Sequence, residues 1–347
     1  MSEKECVVFL ADAADYINLN QKIEISDFLI SVTAALAEQA GTYLGDKQIE
    51  SSHWERFNAF LKDTQIDIKE ISPGGQFKAA MRQDPTVKKQ LQDHLRGHIT
   101  QLSENLEDFR ATIIDKIRAK KGPDVKIVLL FDSLERLRGS GDAGDEVFSS
   151  VKALFTQYSD LMRLADIQVV YSVAPYLIKL APQLGGLFGV GTLCHLTTAH
   201  VFKQCSRELD VDHGVPVIRN IIARRYPEWE KWLPPNTLDE IIEASGGDLR
   251  DLFRLLSIVL LELEFSSDES TVLPYALEQV RRDMTWITGS QQARLRYIAE
   301  HKQPRLDDDT DRDALVHDLE TKRVLMYRNG KDWYDVHPLL RPLIDGG

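Results

Sequence analysis

The chain holds little cysteine and little net positive charge, and it lacks any long apolar run. Its three cysteines, Cys6, Cys194 and Cys205, show no CxxC spacing. An odd, sparse set reads as reduced thiols and excludes a disulfide-stapled scaffold. No uninterrupted apolar stretch reaches membrane-spanning length, and the opening MSEKE is not a signal peptide. These absences predict a cytoplasmic protein with no membrane partner. Lys and Arg number 42 against 54 Asp and Glu, for a net charge of −12. That balance argues against a broadly nucleic-acid-coating surface, although it permits a local basic patch. Internal repeats and long low-complexity tracts are also missing.

What remains is ordinary soluble-protein composition, 43% apolar and 28% charged. A chain of 347 residues suggests two or three domains and can bury a large core. The most informative stretch is VKIVLLFDSLERLR, Val125–Arg138. Val125–Phe131 is almost wholly apolar and follows the breaker pair Gly122-Pro123. It reads as a buried parallel strand covered on both faces. It ends on Asp132, with Glu135 three residues later. Ligands of open α/β sheets bind beyond the carboxyl ends of the strands. An acid there can hold Mg²⁺ through water, and a second acid can polarise an attacking water. The alternative role for Asp132 is as the N-cap of a following helix.

Cys6–Ala11 is a second strand candidate, ending on Asp12 and Asp15. Ile25–Gln39 reads as an amphipathic helix with Ser26 as N-cap and Asp27 in its first turn. Trp54–Leu61 reads as helix, Ser72–Gly75 as loop, and Asp84–Lys120 as one or two long helices. His94 and His98 sit four apart, a spacing that can bind zinc, but HLRGH lacks the metalloprotease Glu and a third ligand is not evident. Two surface histidines is the simpler reading. Gly139–Gly144 is expected to be a loop and Val147–Met162 a helix. Ile167–Val173 is a third strand, carrying Ser172 near its carboxyl end. That hydroxyl can meet a γ-phosphate or water, or be satisfied by nearby backbone. The glycine-rich run Gly185–Gly191 reads as a loop and Leu193–Phe202 as a further strand.

Ile218–Arg225 and Leu238–Ala244 read as helices. In GGDLRDLFRLL, Gly247 permits a tight turn, Asp248 caps a helix, and Arg250 falls in its first turn. A cation there opposes the helix dipole, which suggests a task outside the helix such as reaching a phosphate. The alternative is a salt bridge to Asp251 or to a neighbouring helix. In the tail, Ala293–Glu300 and Asp311–Thr321 read as helices. Arg323–Tyr327 and Asp332–Val336 read as strands joined at Asn329-Gly330, a strong hairpin signal. Helices followed by a two-stranded wing describe a winged-helix module. Its second helix and approach carry Asp307, Asp308, Asp309, Asp311, Asp313, Asp318 and Glu320. Such a helix repels a phosphate backbone, so protein contact is expected there rather than DNA.

In this order the pieces resemble an AAA+/STAND-type P-loop ATPase over nearly the whole chain, in the Orc/Cdc6-like or STAND-like branch. VLLFDSLERL (Val128–Leu137) looks like Walker B, VVYSVAPYL (Val169–Leu177) like the sensor 1 strand, and GGDLRDLFRLL (Gly246–Leu256) like the sensor 2 helix. The resemblance implies an α/β fold: a parallel-sheet core over 1–205 with a helical insertion at about 45–122, a helical lid over 206–288, and a C-terminal winged helix over 289–347. It implies Mg²⁺ and ATP as cofactors, with Asp132 for the metal, Glu135 as catalytic acid, and Ser172 and Arg250 on the nucleotide. Two departures stand out. Ser133 occupies the position directly after Asp132 where such proteins more often carry the acid. The sequence GxxxxGK followed by Ser or Thr, which supplies phosphate-binding amides and a lysine, is absent. The chain is therefore expected to start at the second strand of the fold, by truncation or by loss of the P-loop. Two functions follow: a nucleotide-driven regulatory switch, inactive if truncated, or a non-catalytic scaffold with a protein partner or self-association.

Overall fold

The computed structural model describes residues 6–64, 84–137, 142–174, 177, 183–188, 193–194, 196–265, 269–284 and 286–345. The expected loop at 72–75 lies outside them, as do residues 139–141. The chain is mixed α/β, mostly helical, and divides into two compact units, 1–193 and 194–347. No helix of the described residues is long and apolar enough to cross a membrane.

Unit 1 is built on three parallel strands in the order β1 (Cys6–Asp12), β2 (Lys126–Asp132), β3 (Gln168–Tyr171). Cys6 pairs with Lys126 and Asp12 with Asp132, while Phe131 pairs with Tyr171. Between β1 and β2 run α1 (Ile25–Leu44), α2 (Gln48–Asp63), α3 (Pro85–Leu95) and α4 (Ile99–Lys121). The helix α5 (Asp142–Gln157) joins β2 to β3 and begins inside the expected Gly139–Gly144 loop. Gly185 and Gly186 likewise fall in a one-turn helix, Leu184–Leu187, rather than in a loop.

Helix α1 is the centre of this unit, buried along most of its length. Its N-cap is Glu24, not Ser26. Glu24 has the extended backbone of a cap, and its N–H donates to the Asp27 carboxylate at 3.0 Å. Ser26 is already inside the helix and 1% exposed. The helix ends at Gly45, whose φ of +73° turns the chain sharply toward α2.

The expectation that β2 is covered on both faces fails. Odd-numbered side chains of β1 and β2 are buried, with Phe9, Leu129 and Phe131 at 4% exposure or less. On the opposite face Val8 is 53%, Leu10 61% and Val170 54% exposed. The steps from β1 to β2 and from β2 to β3 run the same way across the sheet. Two crossovers of one hand then fall on one face. Tyr171 touches a helix of each crossover on that one face, with Phe28 of α1 at 5.4 Å and Phe155 of α5 at 6.1 Å between ring centroids.

Unit 2 contains α6 (Gly214–Arg225), α7 (Pro235–Ser245), α8 (Leu249–Phe265), α9 (Glu269–Arg282), α10 (Gly289–His301), α11 (Asp309–Glu320) and the antiparallel hairpin β4 (Val324–Asn329)–β5 (Lys331–Val336). The hairpin turns at Gly330, φ +109°, where Asn329-Gly330 was expected to turn it. One hydrophobic core runs from Val201 to Ile344. Leu193–Phe202 does not form the expected strand. Its described residues make a single antiparallel bridge, Phe202 to Leu209, and Val201 and Phe202 are fully buried in this core. The segment serves as a wedge that two glycines admit. A Cβ on Gly247 would lie 2.0 Å from the Ala199 carbonyl oxygen, and one on Gly214 would lie 1.8 Å from that of His200.

Candidate functional site

The carboxyl ends of the three strands bring together acids that are far apart in sequence. Asp12 and Asp132 end β1 and β2 in direct register, both exposed. Their roles then diverge. Asp12 accepts a hydrogen bond from the Ala14 N–H at 2.9 Å and caps a short helical turn. Asp132 caps nothing: the residue in the cap position is Ser133. Among the described residues the Asp132 carboxylate has neither a hydrogen bond nor an ion pair, so it is free to take a hard cation.

Ser133 has a φ of +69°, a left-handed conformation that costs a non-glycine residue about 1 kcal/mol. The turn it makes starts a single 3₁₀ turn, Leu134–Arg136. Leu134 and Leu137 are buried and anchor that turn. Glu135 is thereby carried back toward β3, where the Ser172 Oγ donates to its Oε2 at 2.7 Å. The Ser172 N–H also donates to the Phe131 carbonyl at 3.3 Å, which continues the β2–β3 ladder by one residue. The hydroxyl of Ser172 is thus engaged by a carboxylate rather than by backbone.

Sequence reasoning passed over Arg136. It is exposed and makes no side-chain ion pair with any described residue. It is a cation one residue from Glu135, and its signal was the basic residue inside the 3₁₀ turn. Asp12 was noted as a strand end, but its registration with Asp132 depends on a pairing across more than a hundred residues.

Arg250 belongs to unit 2. It lies in the first turn of α8, exposed, without an ion pair or hydrogen bond to any described residue. The salt bridge to Asp251 does not form. Asp251 is 5% exposed and engaged by Lys322 at 3.2 Å and His337 at 3.6 Å. Burial pushes the Asp251 carboxyl up, but His337 and Lys322 outweigh it and hold the group below the ordinary carboxylate range. Asp248 caps the helix, accepting from the Asp251 N–H at 2.9 Å, and also receives Lys322 Nζ at 2.6 Å.

His94 and His98 stack with ring centroids 5.0 Å apart, and His98 Nδ1 lies 2.8 Å from Gln101 Oε1. Among the described residues no three His, Cys, Asp or Glu side chains converge as a metal site. A shallow cavity of about 410 Å³ lies at the other end of the sheet, lined by Arg118, Asp124, Lys126 and Asp166. It sits by the amino ends of β2 and β3 and shares no residue with the acidic group.

Comparison of the chain with protein-family models, with curated proteins and with solved structures finds no match.

Proposed function

We propose that the chain is a nucleotide-binding regulatory protein of the AAA+/STAND type, using the carboxyl end of its sheet. The observation that carries this reading is the Ser172–Glu135 hydrogen bond, beside an Asp132 carboxylate that has no partner among the described residues. In this proposal Asp132 would hold Mg²⁺. Mg²⁺ neutralises charge on the β- and γ-phosphates in such chemistry. Glu135 orients or polarises a water, and Ser172 holds Glu135 in place. Arg136, beside Glu135 in unit 1, is a cation without an ion pair among the described residues and suits phosphate; Arg250, in unit 2, is retained as the nucleotide contact that the resemblance implies. In unit 2, α10, α11 and the β4–β5 hairpin are proposed as a winged-helix module, preceded by a helical lid. The acids of α11 favour a protein partner over DNA, although Asp318 is removed from that face. It is fully buried and paired with Arg294 at 2.7 Å.

A second reading has its own support. The lysine and glycine-rich amides that cradle a triphosphate have no counterpart in the sequence, and no three-residue metal cluster exists among the described residues. This favours a scaffold that keeps the fold without hydrolysis. Mg-ATP binding read as a thermal shift separates the two. At about 100 times its Kd a ligand adds roughly 2.7 kcal/mol to a reversible folder. A shift lost in Asp132→Ala and in Arg250→Ala supports the nucleotide switch. A folded sample with no shift at millimolar Mg-ATP overturns it and leaves the scaffold.

A further inference from the structure

The face of the sheet turned away from α1 and α5 is apolar, and no helix among the described residues of unit 1 covers it. Val8, Leu10 and Val170 are more than half exposed, and Val128 and Leu130 between them are partly so. The register places Leu10, Leu130 and Val170 in one row across all three strands. Parallel sheets ordinarily bury both faces, because their backbone and side chains are built for covering helices. We infer that this face is the docking site for one amphipathic helix of a partner protein, lying antiparallel to the strands.

Dimensions select a helix over a second copy of the sheet. Three strands span two spacings of about 4.8 Å, or roughly 10 Å, close to the diameter of one α-helix. Seven residues of strand run about 23 Å, which matches roughly 15 residues of helix. The patch projects to on the order of 230 Å², far short of the roughly 800 Å² per partner of a stable dimer, and a helix seated on it is accordingly a weak, transient partner. Charge selects the direction. Asp12 and Asp132 stand at one end of the face, and Lys126 stands exposed at the other. A helix antiparallel to the strands brings its positive N-terminal end to the two acids and its negative C-terminal end to Lys126.

The test uses the full chain and a synthetic helix of about 15 residues with leucines at three–four spacing and a free α-amino group. Cys6 lies at the amino end of β1, so an environment-sensitive dye on its thiol reports that end of the face, in a Cys194→Ser/Cys205→Ser background. The expected result is binding roughly tenfold tighter than a scrambled peptide of the same composition. A tryptophan at the peptide's C-terminus should quench the dye, and one at its N-terminus should not. Leu10→Lys should abolish binding. Leu10→Thr/Val170→Thr, which keeps strand propensity, should weaken it while circular dichroism remains unchanged. Equal binding of the scrambled peptide overturns the inference, as does retention in both variants or quenching from the N-terminal tryptophan. So does a concentration-dependent dimer of the free chain that Leu10→Lys dissolves, which would make the occupant a second copy. The two proposals share only Asp132: loss of the ATP-induced thermal shift leaves this one standing, since peptide binding is read at Leu10 and Val170, which take no part in holding nucleotide.

Discussion

Ser172→Ala and Glu135→Ala, separately and together, probe the contact on which the functional reading depends. The bond they share is 2.7 Å long and joins a hydroxyl to a carboxylate. A hydrogen bond to a charged group contributes about 1.5–3 kcal/mol when shielded from water. Both side chains are only partly buried, so screening lowers this to about 1 kcal/mol. The double-mutant cycle should return a coupling of that size, because the two residues touch and share no other side-chain partner among the described residues. With two units in one chain, a global unfolding midpoint mixes two transitions. Hydrogen exchange at the Ser172 amide, which donates to Phe131 across the β2–β3 ladder, reports locally instead. Its protection should fall in either single variant and fall little further in the double. A coupling below about 0.3 kcal/mol is indistinguishable from additivity. That result would mean that Ser172 does not hold Glu135, and the proposed orienting role would collapse with it.

Four further outcomes test the packing and charge of the structure. Gly247→Ala, with a φ of +84° and a carbonyl 2.0 Å from the new Cβ, should cost unit 2 roughly 3 kcal/mol or more in urea unfolding. Gly45→Ala, at φ +73° with open space around it, should cost unit 1 only about 1 kcal/mol. Asp335 is fully buried and holds Lys302 at 2.7 Å and Arg341 at 3.1 Å. Asp335→Ala should therefore lose about 3–5 kcal/mol, and Lys302→Met should restore part of it. Asp251 titrates below its ordinary 3.8 in the folded chain, so the unfolded chain binds the proton first as pH falls. Its contribution is complete above that value and disappears as pH drops below it. Asp251→Asn should flatten this acid limb in a pH series of unfolding midpoints and leave its shape above pH ~5 unchanged.

The three strands and the hairpin were legible because their signals are local: short apolar runs, and Asn329-Gly330 between two alternating segments. Coverage of the strands was not. Val8, Leu10, Val128 and Leu130 read as buried because a near-continuous apolar run normally has helices on both sides. Which side receives them depends on the order in which strands join the sheet, and no single strand encodes that. The helix cap shows the same limit on a small scale. Ser26 has the better capping side chain, but Glu24 is where the backbone is still extended. At the candidate site, Asp132, Glu135 and Ser172 were identifiable as residue types near strand ends. Their differences were not. Ser172 meets Glu135 only through the β2–β3 register, and Asp132 is left free because the chain turns at Ser133 instead of starting a helix. Leu193–Phe202 misled for the opposite reason. Its apolar content is real, but it is spent on a core between helices rather than on a ladder.

The turn at Gly246-Gly247 joins α7 to the helix that bears Arg250, and it is also fastened to the hairpin. Tyr327 of β4 donates its hydroxyl to the Gly246 carbonyl at 2.7 Å, and Lys322, just before β4, grips Asp248 and Asp251. His337, just after β5, reaches Asp251 from the other side. These ties make the hairpin and the first turn of α8 a single lever rather than two hinged parts. Any force applied at Arg250 is felt at once by the β-ribbon some eighty residues further along the chain. Conversely, a partner that grasps the ribbon also grips the guanidinium's footing.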